Sequence, residues 1–256
     1  MIDPTGDIMK AFEREWRTTL PADQWLVIRV DGKAFHTYTR GLEKPFSVPL
    51  MASMDHTATV LAREVQGAVL GYVQSDEISI VVAPHALGNP GGVWFGGSVQ
   101  KIASIAASAA TGAFNSHFGS AMGWARWAMF DARVFAVPDP ADVRAYLRWR
   151  QADCTRNAIS MLSEHHIGKK KLQGVKTGER VGLLDDVGIS LADIDQRFML
   201  GGLTYPVTAE EEVTFIHKET QIEETSVAMR RRWVIEPIPH ISTWFHDRFP
   251  AVPVEV

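Results

Sequence analysis

Two short apolar runs separated by three polar residues constrain this chain most. AVLGYVQ (68–74) and ISIVVA (78–83) flank Ser75-Asp76-Glu77, and that spacing predicts a β-hairpin with acids at its tip. WLVIRV (25–30) is a continuous run that stops at Asp31-Gly32, the pattern of a buried strand ending in a turn. MFDARVFAV (129–137) reads as a further strand. Helical stretches lie between them. Ile8, Phe12 and Trp16 recur at helical intervals over 7–18, with Asp3 or Thr5 available as a cap. Pro45 and Pro49 bracket a loop, and Leu50 to Val65 follows as a helix. Val99 to Phe118 is a longer helix, whose Ala103, Ala106, Ala107 and Ala110 suit close packing on a sheet. Asp139-Pro140 opens another that runs to about His165. The order α, β, α, β, β, α, β, α is that of an α+β fold with a mostly antiparallel sheet.

The rest of the chain has a different texture. Gly174, Gly178 and Gly188 break helical pieces, EEVTFIHKETQI and VAMRRRWVIEP read as two strands, and the Pro- and aromatic-rich tail from Pro237 is expected along the surface. This divides the chain into a catalytic-type domain over 1–167 and a C-terminal extension over 168–256. The balance of 26 Lys+Arg against 30 Asp+Glu, net −4, does not mark a nucleic-acid binder, so such a partner needs local basic patches. Cys154 is the only cysteine, which excludes an intramolecular disulfide and Cys-rich zinc modules and points to a reducing compartment. The N-terminus carries acids before any apolar run, and no stretch is long and apolar enough for a bilayer span. A cytoplasmic protein with no membrane partner is the expectation.

The acids at the strand ends carry the chemistry. If the strand ending at Asp31 neighbours the hairpin tipped by Asp76 and Glu77, three carboxylates converge at one sheet edge. Acids crowded in this way repel one another unless a cation neutralises them, and hard divalent ions with oxygen ligands do so, Mg²⁺ above all. Two such ions completed by substrate phosphates describe a phosphoryl- or nucleotidyl-transfer site. Taken singly, Asp31-Gly32 and Asp76-Glu77 are equally compatible with solvated turns. Around Asp31, Gly32 allows close backbone approach to a ligand. The loop after it offers successive N–H groups to a triphosphate, and Arg29, Lys33 and Lys44 offer positive charge. His36 is either a polar contact or a loop histidine.

R-x-D-G-x-x-F-H (Arg29 to His36), K-P-F (Lys44 to Phe46), Y-V-Q-S-D-E-I-S (Tyr72 to Ser79), K-I-x-S (Lys101 to Ser104), F-D-A-R-V-F (Phe130 to Phe135) and R-W-R-Q-A-D (Arg148 to Asp153) occur in that order. Together they resemble the tRNA-His guanylyltransferase family, including its Thg1-like members. The resemblance implies a palm-like polymerase core, two Mg²⁺ ions, GTP and ATP as nucleotides, and addition at the 5′ end of a tRNA, 3′ to 5′. It implies metal binding by Asp31, Asp76 and the carbonyl of Gly32. It implies triphosphate contacts from Asp31, Gly32, Lys33, Ala34, Phe35 and His36 and from Ser75 and Asp76. A third, supporting acid at Glu77, basic positions near phosphates at Lys44 and Lys101, and a homo-tetramer complete what it implies.

Two features depart from the family pattern. Thr155 and Ala158 stand where the enzymes that add the extra G to tRNA-His carry the first and last residues of H-I-N-N, which favours template-directed 5′-end repair. Gly96-Gly97 lies where a paired Arg usually precedes the helix lysine. A nucleotidyl cyclase, or a tRNA-binding module without activity, are the alternative readings. Lys169–Lys171 and Arg230–Arg232 are either solvated faces or tracks for an RNA backbone. His165-His166 reads as a helix-end pair, and Trp94 and Trp244 are the tryptophans expected to be exposed.

Overall fold

The computed structural model describes residues 5–84, 92–238 and 241. Asp3, His85 and Trp244 lie outside them. In chain order the elements are α1 (Thr5–Glu15), β1 (Trp25–Gly32), α2 (Phe35–Tyr38), α3 (Val48–Glu64), β2 (Ala68–Gln74), β3 (Glu77–Val82), α4 (Val99–Met122), β4 (Phe130–Val137), α5 (Pro140–His166), α6 (Thr177–Asp186), α7 (Gln196–Leu200), β5 (Gly202–Ile216) and β6 (Glu223–Pro237). The strands form one six-stranded sheet in the order β4-β1-β3-β2-β5-β6, and every pairing is antiparallel. The α+β reading holds.

Both faces of the sheet are covered at β1, β2 and β3, which is why WLVIRV is continuously apolar. Successive strand side chains point to opposite faces. Leu26, Ile28 and Val30 therefore face the cluster built with α3 and α4. Trp25 and Val27 face Val143, Tyr146 and Leu147 of α5. Small residues do set the α4 contact: Ala106 and Ala110 are wholly buried in that first cluster. Asp139 caps α5 by accepting hydrogen bonds from the N–H groups of Ala141 (2.7 Å) and Asp142 (3.1 Å). A third cluster joins α5 to α6 and α7.

Several expectations change. Gly178 sits inside α6 rather than breaking it, and residues 217–222 form the turn between β5 and β6 rather than strand. β5 starts at Gly202 and pairs with β2 (Tyr72 opposite Leu203), so the sheet runs on from residues before 167 into residues after 201. Ile238 and Ile241, at the start of the tail, are buried rather than superficial, and the Gln151 amide oxygen accepts from the Ile241 N–H at 3.0 Å. Trp94 is buried too, because it packs into the α3–α4 side of the core; among the described residues the exposed tryptophans are Trp16, Trp127 and Trp149. Lys169–Lys171 are exposed. Arg231 lies over the Trp233 ring and donates to the Ala68 carbonyl, while Arg232 pairs with Glu211. Among the described residues no helix is long and apolar enough to cross a membrane.

Candidate active site

The β2–β3 hairpin turns at Ser75-Asp76, with Ser75 in the left-handed region (φ 46°). Its tip folds onto the end of β1: Asp31 stands opposite Glu77 in the ladder, and the Gly32 N–H donates to the Asp76 carbonyl at 3.0 Å. The strand ends are neighbours, as the acid arrangement requires. Burial, then the charge of Asp31, pushes the Asp76 carboxyl up to about 6. Burial, then Asp131, raises Asp31, against the pull of Arg133 and Arg29.

After β1 the chain turns sharply at Ala34 (φ 52°) into the single helical turn α2. Gly32 is needed for space, since a Cβ there collides with the Phe35 ring. The Lys33 N–H donates to the Met129 carbonyl (2.8 Å), so this N–H and that of Gly32 are already committed within the fold rather than offered to a triphosphate. Phe35 is a core side chain, packed on Tyr38, Phe114 and Phe130. Arg126 fixes the far end of the loop by donating to the carbonyls of Tyr38 (3.1 Å) and Arg40 (2.9 Å).

A cleft of about 580 Å³ opens beside this edge, within the range of small-molecule sites. Gly32, Ala34 and His36 from the loop, Lys44, and Ser75 and Asp76 from the hairpin line one end. Cys154, Asn157, Ala158 and Met161 of α5 line another side. Phe46 and Phe198 close it, stacked with ring centres 4.5 Å apart and planes 9° from parallel. The structure thus brings together most of the residues expected from the sequence. It leaves Asp31, half-buried at the end of β1, and the exposed Lys33 outside the cleft lining, and places Lys101 exposed in the first turn of α4.

Glu77 is placed differently from the expected acid cluster. It is the first residue of β3 and buried, and its two oxygens accept from Arg150 Nε (2.7 Å) and Nη2 (2.8 Å). The side chains of Arg29, Asp31, Glu77 and Ser79 alternate onto the α5 face, where Arg150 and Tyr146 meet them. A carboxylate saturated by a guanidinium fork supports the turn beside it rather than opening toward a ligand. Among the described residues no three His, Cys, Asp or Glu side chains converge to hold a metal. The donors that remain are Asp31, Asp76 and the Gly32 carbonyl, all oxygen. Two acids held up by burial and neighbouring negative charge form a set that fits hard divalent ions.

Sequence reasoning missed the wall made by α7. Arg197 ion-pairs with Asp55 of α3 and donates to the Val73 carbonyl at 3.3 Å, which ties the helix down. Five residues carry no legible periodicity, so only Asp195 as a cap signalled a helix there.

The sequence model described as tRNAHis guanylyltransferase matches residues 6–138. A probable tRNA(His) guanylyltransferase of Drosophila melanogaster is 31% identical over 163 residues, 60% of this chain and 52% of that protein. The tRNA(His) guanylyltransferase of Schizosaccharomyces pombe is 32% identical over 60% of this chain and 57% of its own length. The matched region thus spans just over half of those two relatives. A bacterial Thg1-like protein solved in complex with ATP is 30% identical, with a TM-score of 0.81 over 97% of this chain and 98% of that one. Another, in complex with GTP, is 31% identical with a TM-score of 0.72, over 94% and 95%. With the family's sequence pattern over half the chain and its fold over nearly all of it, this protein belongs to the tRNA-His guanylyltransferase family.

Proposed function

We propose that this protein is a nucleotidyltransferase that extends the 5′ end of a tRNA in the 3′–5′ direction, and that template-directed repair is its main task. One observation carries the reading. Asp76 opens into a cleft shared with the Gly32–His36 loop and Lys44, in a chain whose fold matches relatives solved with ATP and with GTP. The triphosphate belongs at the end lined by that loop, Ser75 and Lys44, where Lys44 contributes positive charge. Asp31, Asp76 and the Gly32 carbonyl would hold divalent ions, two by family resemblance, which would supply positive charge against the negative charge developing on the phosphoryl oxygens.

A 5′-monophosphate end is first activated with ATP, releasing pyrophosphate and leaving AMP on the 5′ phosphate. A 5′-triphosphate end needs no activation. The 3′-hydroxyl oxygen of GTP then bonds to the 5′ phosphorus, expelling AMP or pyrophosphate, and the hydroxyl proton passes to solvent. The protein's part is positioning: the hairpin tip, pinned to β1 by the Gly32–Asp76 hydrogen bond, holds both acids against the loop.

The preference for templated repair rests on Thr155 and Ala158. Untemplated addition draws no selectivity from base pairing, so the protein must identify its tRNA by side-chain contacts. Ala158 has no polar group, and the Thr155 hydroxyl bonds the Met199 carbonyl at 3.0 Å. The test incubates 5′-monophosphate and 5′-triphosphate tRNAs, full-length or lacking one 5′ nucleotide, with ATP and labelled GTP. Label at the 5′ end of the truncated tRNAs is expected. Label at the 3′ end, or cyclic nucleotide alone, overturns the reading; the latter favours a cyclase.

A further inference from the structure

A short helix leaves its last carbonyls without partners inside the helix, and in α7 side chains of other elements supply them. The Phe198 carbonyl accepts from Cys154 Sγ at 3.5 Å. The Met199 carbonyl accepts from the Thr155 hydroxyl at 3.0 Å, whose proton is shared with the Gln151 carbonyl at 3.2 Å. The Leu200 carbonyl accepts from Gln151 Nε2 at 3.1 Å and from the Tyr72 hydroxyl at 2.9 Å. Gln151, Cys154 and Thr155 lie at i, i+3 and i+4, one face of α5. The turn out of α7 is equally confined: Gly201 has φ 79°, and a Cβ there would stand 2.6 Å from the Tyr72 hydroxyl and the Val73 carbonyl.

Phe198, presented to the cleft from this clasped helix beside Arg197, stacks on Phe46, two residues after Lys44. We infer that Thr155, with Gln151, acts as a positioning residue that sets nucleotide affinity through α7, by fixing Phe198 as a wall of a cleft that neither Thr155 nor Gln151 lines. The inference rests on the reading that this cleft takes the nucleoside triphosphate. It gives the Thr155 hydroxyl a task within the protein at the position where the H-I-N-N enzymes carry histidine.

The experiment measures Mg-GTP dissociation constants by equilibrium dialysis, steady-state KM and kcat for GTP on a truncated tRNA, and amide hydrogen exchange, in wild type, Thr155→Val, Thr155→Ser and Phe198→Ala. Valine keeps the volume and removes one neutral hydrogen bond. The expected result is a roughly two- to tenfold rise in Kd and KM, kcat within about twofold, and faster exchange confined to residues 197–202. Serine should restore all three, and Phe198→Ala should reproduce the weaker binding. Unchanged GTP affinity in Thr155→Val, or weaker affinity with α7 exchange unchanged, overturns the inference. A wild type that binds no GTP overturns the cleft reading instead.

Discussion

Arg150→Met tests how the acid edge is held up. Arg150 and Glu77 are both 7% exposed and share two hydrogen bonds of 2.7 and 2.8 Å. Removing the cation leaves a buried carboxylate whose nearest other cation, Arg29, is 4.0 Å away. Gln74 Nε2, at 3.4 Å, is a weak substitute. Breaking one side of a buried pair typically costs about 3–5 kcal/mol. Part is returned because Asp153, which Arg150 also holds at 2.8 Å, keeps Arg156 as a partner. A loss of about 3 kcal/mol is therefore expected, or roughly 6–12 °C in Tm for a chain of this size.

The companion variant, Glu77→Gln with Arg150→Met, removes both charges and should recover most of that loss, because a neutral buried pair carries no unpaired ion. Thermal and urea unfolding followed by circular dichroism measure both. A single variant that loses less than about 1 kcal/mol, the range of exposed pairs, would refute the reasoning. So would a double variant whose loss is the sum of the singles. Nucleotide addition on the refolded double variant adds a second reading. If Glu77 supports the hairpin tip, substantial activity returns with stability; if Glu77 itself holds a metal, it does not.

Asp31→Ala and Asp76→Ala should each abolish labelled-GTP addition with no loss of Tm, because either change relieves repulsion in a half-buried acid pair; gel assay beside thermal unfolding checks both. Chelation by EDTA should stop addition, and restored Mg²⁺ should return it. Gly201→Ala should lower stability by about 1–3 kcal/mol, since the left-handed φ and the Tyr72 hydroxyl leave a Cβ no place. Gly112→Ala, inside α4 with nothing within 4 Å of the new Cβ, should raise it by roughly 0.5–1 kcal/mol. In a competition between full-length tRNA-His and a tRNA lacking its first 5′ nucleotide, the truncated one should be extended faster.

The sheet and its helices were legible because their signals are local. Strand runs end at Asp31-Gly32 and Gln74, Asp139-Pro140 caps a helix, and alanines pace α4. The acid edge was legible for the same reason: Asp31 and Asp76 end strands, and a hairpin neighbour needs no long-range information. What escaped depends on contacts far apart in sequence. Glu77 looked like a tip acid until Arg150, 73 residues later, took both its oxygens. Trp94 sits in a Gly-rich stretch that reads as exposed, yet a distant core encloses it. α7 is too short for periodicity, and its partners Asp55, Tyr72 and Thr155 come from three other elements.

Helix α5 connects these observations. One part of the R-W-R-Q-A-D-C-T segment, Arg150, grips the hairpin that carries Asp76. The next, Gln151 with Cys154 and Thr155, grips α7 across the cleft. The acid edge and the aromatic wall are thus both tied to α5, and their separation depends on the register of a single helix. A substitution in this segment therefore has two separable consequences. Changes at Arg150 disturb the acid edge and should fall on kcat and on stability. Changes at Thr155 disturb the wall and should fall on nucleotide affinity. A motif that looks like one catalytic block in sequence is, in the fold, two clasps one residue apart, each reaching a different side of the same cleft.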